Sequence, residues 1–146
     1  MTNPTPLPDA VDPVPKLLRV LYADDMVQLR ELLVIVLNRD GHTVETAPDG
    51  FTALDKIKAA PSAYDVLITD HHMPGMNGLE LVSAIRETPY QGKIIIFSSE
   101  LSEVVNAAYH RLVLQVSKRR HILLVGFQRR HDRAELEVRA RAARSP

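Results

Sequence analysis

The feature that most constrains this chain is an alternation. Short apolar runs take turns with amphipathic stretches of about ten to fifteen residues, the pattern of βαβ units. The runs are "LLRVLYAD" (17–24), "HTVETA" (42–47), "YDVLITD" (64–70) and "KIIIFSS" (93–99). Between them, "MVQLRELLVIVLNRDG" (26–41) sets Leu29, Leu32, Leu33, Val36 and Leu37 at helical spacing, with Gly41 as its stop. "DGFTALDKIKAA" (49–60) turns Phe51, Leu54 and Ile57 inward and ends at Pro61; "NGLELVSAIRET" (77–88) ends at Pro89. "LSEVVNAAYHRL" (101–112) puts Leu101, Val104, Val105 and Ala108 on one face. Several strands are apolar throughout, as expected of a parallel sheet covered by helices on both faces. The expected fold is therefore α/β, a doubly wound parallel sheet, with any ligand at the carboxyl ends of the strands.

With 146 residues the chain can bury one core, expected over 17–130. Residues 1–16 hold five of the ten prolines and read as a flexible arm. Residues 131–146 read as a basic helix or tail, with Glu135–Arg139 and Glu137–Arg141 at i, i+4. Net charge is zero, yet residues 111–146 carry 10 basic and 3 acidic side chains. Without aromatic interleaving or a helix-turn-helix, those arginines are a weak signal for nucleic acid, which is not the expected partner. Cysteine is absent, which excludes disulfides and thiolate chemistry. No apolar run reaches the ~20 residues of a membrane span, and no signal peptide is evident, so a cytoplasmic setting is expected.

The strand ends carry the chemistry. The first ends in Asp24-Asp25, the third in Asp70 and the fourth in Ser98-Ser99. In a parallel sheet these groups crowd one rim. Each aspartate alone could be a helix cap or a turn former, but three carboxylates together repel one another and call for a compensating charge. Oxygen-only donors favour Mg2+. An aspartate beside such an ion can act as a nucleophile toward phosphorus, with Ser98 offering a hydroxyl and Lys118 an ammonium. His71 and His72 are adjacent and point apart on an extended segment, a poor spacing for zinc.

"VLYADD", "VLITDHHMPGMNGLEL" and "IIIFSS" carry a resemblance, over Arg19 to Glu100, to the receiver domain of two-component response regulators, of the chemotaxis-regulator kind. It implies a flavodoxin-like (βα)5 fold over 17–130 that accepts a phosphoryl group on Asp70 from a sensor histidine kinase or a histidine phosphotransfer protein. It further implies Mg2+ held by Asp24, Asp25, Asp70 and the backbone carbonyl of His72, a switch hydroxyl on Ser98 and a charge-neutralising Lys118. His72 and Glu100 fall where the family tunes phosphoryl lifetime. Output would go to a downstream protein by contact, with homodimerisation a family option and no catalytic turnover of a separate substrate. Gly75 and Gly78 allow a tight backbone beside the acceptor, and Asn77 is the expected cap of the next helix.

The chain departs from the family after Ala108. Two apolar runs compete for the fifth strand, "VLQVS" (113–117) and "ILLV" (122–125); the first is preferred because it delivers Lys118 to the rim. Arg119 stands where the family has proline, and Gln115 where it has an aromatic switch residue. A degenerate receiver serving as an unphosphorylated interaction module is the alternative. An aspartate-nucleophile phosphatase is a weaker rival, since His72 occupies the position of its second acid.

Overall fold

The computed structural model describes residues 15–98, 102–115 and 122–126. They form β1 (Arg19–Ala23), α1 (Val27–Arg39), β2 (Thr43–Ala47), α2 (Gly50–Ala59), β3 (Val66–Thr69), α3 (Gly78–Ile85), β4 (Lys93–Ser98), α4 (Glu103–Gln115) and β5 (Ile122–Gly126). The strands make one five-stranded sheet in the order β2-β1-β3-β4-β5, and every pairing is parallel. The order reverses after β2, so the crevice beyond β1 and β3 is the switch point where such sheets bind ligands.

Strand alternation divides the core. Leu21, Ala23, Leu67, Ile94 and Ile96 belong to the main buried cluster with Ala53, Leu54, Ile57, Leu81, Val82 and Ile85 from α2 and α3. Val20, Tyr22 and Asp24 are buried too, at the alternate positions of β1 and just beyond it. At the opposite rim the Arg19 guanidinium and amide both reach Asp65 Oδ2, with Arg19 Nη2 on Oδ1 at 3.0 Å. These bonds from Arg19 pull the Asp65 carboxyl down to about 2.

Helix ends follow local chemistry. Gly41, at φ 85°, donates its amide to Asn38 and closes α1. Asp49 caps α2 by accepting from the Thr52 amide at 2.7 Å. Asn77 caps α3 reciprocally with Glu80, each side chain accepting the other's amide at 2.9 Å. That helix ends at Ile85 rather than 88, because Thr88 turns back onto the Ile85 carbonyl.

Four expectations need correction. Residues 113–115 are the last residues of α4, so the fifth strand is not 113–117 but Ile122–Gly126, which pairs residue by residue with Ile94–Ser98. Phe51 is exposed, its ring lying over Gly75, while Ala53 takes the inward position on α2. Val104 is exposed and the inward face of α4 centres on Tyr109. On α1, Leu32 and Val36 are exposed and only Leu29, Leu33 and Leu37 of the expected stripe are half-buried. "LLVIVL" is apolar on more than one side, and a helix can bury only one. The expected tail over 131–146 and all but the last two residues of the arm over 1–16 lie outside the described residues.

Candidate functional site

Register brings the acids together. Tyr22 pairs with Ile68 and Ala23 with Thr69, so Asp24 and Asp70 emerge side by side, one residue past their strands. The ladder reaches them: the Asp24 amide donates to Ala47 O at 3.2 Å and the Asp70 amide to Ala23 O at 2.9 Å. Asp24, Asp25 and Asp70 each offer a carboxylate oxygen, and these oxygens lie within 4.8 Å of one another. Asp24 is buried, Asp70 half-buried and Asp25 exposed. An all-oxygen, triply anionic group open on one side suits a hard divalent cation that keeps some of its waters.

Asp70 is held from beneath. Its Oδ1 accepts the His71 amide at 2.7 Å. Burial raises its pKa above the usual carboxylate value, and the negative charge of Asp24 adds to this; the His71 and His72 amides oppose it. The turn that follows is built for close approach. Gly75 sits at φ 81°, where a side chain would be strained. A Cβ on Gly78 would stand 2.5 Å from Asp70 O and 2.8 Å from the Tyr109 hydroxyl.

The two histidines differ in burial, but their rings meet edge to face rather than pointing apart. His71 is buried, with Nδ1 2.9 Å from the Tyr109 hydroxyl on α4. His72 is exposed, its ring edge-on to His71 at 4.8 Å. Burial, and then His72, pushes the His71 pKa down, so the ring is neutral and packed. The acidic trio is the ligand cluster found among the described residues, and neither histidine joins it.

Ser98 closes β4 and is buried; Ile96, two residues earlier, pairs with Thr69 beside Asp70, so Ser98 stands at the same rim. Lys118, Ser99 and Glu100 lie outside the described residues. The reason for choosing Lys118, a strand ending on it, does not hold, since β5 ends on Gly126.

Three contacts escape the sequence reading. The Tyr22 hydroxyl donates to Asp24 Oδ2 at 2.5 Å, and Arg30 Nη1 donates to Asp24 O at 2.7 Å. The Tyr109 bond to His71 is the third. Strand period was a usable signal for the first, because residues two apart share a face.

The chain matches the family model of the response regulator receiver domain over residues 20–122. It is 45% identical over 74 residues to the sensor protein EvgS of Escherichia coli, a match covering 51% of this chain and 6% of that protein. Among solved structures it resembles the chemotaxis protein CheY4 of Vibrio cholerae, with TM-score 0.63, 25% identity, and coverage of 88% of this chain and 98% of that one. It also resembles the response regulator TrrA of Thermotoga maritima, solved in complex with Mg2+ and BeF, with TM-score 0.55, 28% identity, and coverage of 85% and 96%. No helix among the described residues is long and apolar enough to cross a membrane.

Proposed function

We propose, for a chain that belongs to the response regulator receiver domain family, that Asp70 accepts a phosphoryl group in a two-component phosphorelay. The observation that carries this reading is the convergence of three carboxylates within 4.8 Å at the switch point of the sheet. The donor would be a phosphohistidine on a sensor histidine kinase or a histidine phosphotransfer protein. An oxygen of Asp70 attacks phosphorus, the P–N bond breaks with its electron pair returning to the imidazole, and an acyl phosphate forms on Asp70.

Asp24, Asp25, Asp70 and the His72 carbonyl would hold Mg2+, which supplies neutralisation of the charge that gathers on the phosphoryl oxygens. The chain's own part is positioning. The His71 amide on Oδ1, and the His72 amide, hold the Asp70 carboxylate in place. Ser98 is proposed to donate its hydroxyl to a phosphoryl oxygen. The ammonium role of Lys118 rests on the sequence resemblance alone. Output would be a changed protein-binding face, read by a downstream protein in the cytoplasm.

The test is intact mass after incubation with acetyl phosphate and Mg2+. One added phosphoryl group is expected, lost in Asp70→Asn and in chelator. A second reading, an interaction module that takes no phosphoryl group, draws on β5 ending in Gly126 rather than lysine. A folded chain without uptake would establish that reading instead.

A further inference from the structure

The Asp24 carboxylate is unusually well tied for a group that is expected to meet a cation. Its Oδ2 accepts the Tyr22 hydroxyl at 2.5 Å and its Oδ1 accepts the Met26 amide at 2.8 Å. The backbone is tied as well, through the Asp24 amide to Ala47 O and the Asp24 carbonyl to Arg30 Nη1. Tyr22 and Asp24 are 2% and 1% exposed, so water does not substitute for the bond between them. We propose that Tyr22 is a positioning residue for the divalent-cation site, holding the Asp24 carboxylate toward Asp25 and Asp70. This rests on the cation site of the proposed function.

The physical case begins with repulsion. Three carboxylates whose oxygens lie within 4.8 Å push one another apart, and a free carboxylate would rotate its charge away from the others. Two hydrogen bonds, one on each oxygen, fix both the position and the plane of Asp24 against that push. A carboxylate oxygen has two lone-pair directions, so one bond on each leaves a direction for a cation. The phenol can only donate to an ionised carboxylate, which accepts through its oxygens alone. Tyr22 therefore pre-arranges a ligand without adding charge. Groups that orient metal ligands in this way are worth roughly 10- to 100-fold in affinity.

Nor is the phenol there merely to be satisfied itself. It comes from β1, two residues from the acid it orients, on the strand face opposite Leu21 and Ala23 of the main core. A phenylalanine would fill the same volume. What it would lose is the grip on Asp24.

The experiment is a Mg2+ titration of the full chain and of Tyr22→Phe, followed by amide chemical shifts, with thermal unfolding in EDTA alongside. A folded variant that binds Mg2+ about 10- to 100-fold more weakly supports the assignment. Equal or tighter binding by a folded variant overturns it and leaves Tyr22 a core residue. A wild-type chain that shows no Mg2+ binding overturns the cation site itself, and this inference with it. Should Tyr22→Phe not fold, the wild type labelled at tyrosine Cζ decides. A Tyr22 resonance that moves with the Mg2+ midpoint supports the role, and one that stays fixed through saturation overturns it.

Discussion

Replacing Asp70 by asparagine should make the metal-free protein more stable. The nearest buried like charge is Asp24, with the ligand oxygens of the trio no more than 4.8 Å apart. At 4.8 Å two unit charges repel by about 0.9 kcal/mol in water and about 3.5 kcal/mol at an effective dielectric of about 20. Asp70 is half-buried, so the penalty that asparagine removes lies between these, about 1–3 kcal/mol. At about 4 °C per kcal/mol for a domain of this size, Tm in EDTA at neutral pH should rise by about 4–12 °C. Asparagine keeps an oxygen to accept the His71 amide, so that hydrogen bond is kept. The pH dependence follows from the raised pKa of Asp70. The folded protein binds this proton more tightly than the unfolded chain, so the penalty is present above the folded pKa. It fades as pH falls toward the unfolded value of about 3.9, and below that the two proteins should melt alike. Saturating Mg2+ should close or reverse the gap, since it stabilises the form with three carboxylates, by about 2.7 kcal/mol at 100 times Kd. Calorimetry at pH 7 and pH 4, with EDTA and with Mg2+, checks all of this. A destabilised Asp70→Asn in EDTA, or a gain that Mg2+ does not touch, would refute the electrostatic reasoning.

Other consequences concern the scaffold around the acceptor. Tyr109→Phe leaves the buried His71 nitrogen without its partner and should cost about 1–3 kcal/mol in urea unfolding, with cooperativity kept. Asn77→Ala removes one half of the cap of α3 and should cost about 1 kcal/mol by the same measurement. Gly78→Ala drives a Cβ against Asp70 O and the Tyr109 hydroxyl, so phosphoryl uptake from acetyl phosphate should fall sharply even where circular dichroism shows a folded chain. Asp65, held near 2 by Arg19, contributes stability that is fully present above about 3.9 and lost as pH falls through 2; acid titration of Asp65→Asn should lack that loss.

The outline of β1 to α4 was readable because period and punctuation agreed. Gly41, Asp49 and Asn77 each sit where helix-boundary chemistry puts them, and the observed bounds differ from the expected ones by a few residues at most. The meeting of Asp24, Asp25 and Asp70 was readable for a related reason: parallel topology alone sends strand ends to one rim. The fifth strand was not, because "VLQVS" and "ILLV" have similar local character and pairing with Ile94–Ser98 is what selects between them. Facing was lost wherever apolar residues outnumber the buried positions, as at Leu32, Val36, Phe51 and Val104. Tyr22 and Tyr109 were hidden differently. Each is buried, and its hydroxyl ends on a polar partner that only the assembled fold supplies.

Those two tyrosines divide the neighbourhood of Asp70 in a way that bears on signalling. Tyr22 ties Asp24 from within the sheet, while Tyr109 ties His71, the residue after the acceptor, to α4 across 38 positions of sequence. The first bond joins groups on one strand end, a rigid unit braced by β2 and β3. The second joins a turn to a helix that packs against α3 rather than to a neighbouring strand. Gly78 lies between them, with room for no more than a hydrogen. A change of charge and bulk at Asp70 therefore meets an unyielding neighbour on the Tyr22 side. On the Tyr109 side it meets the Tyr109–His71 hydrogen bond, whose breakage costs about 1–3 kcal/mol. Of these two hydrogen bonds, the one to α4 is the one that no strand ladder braces.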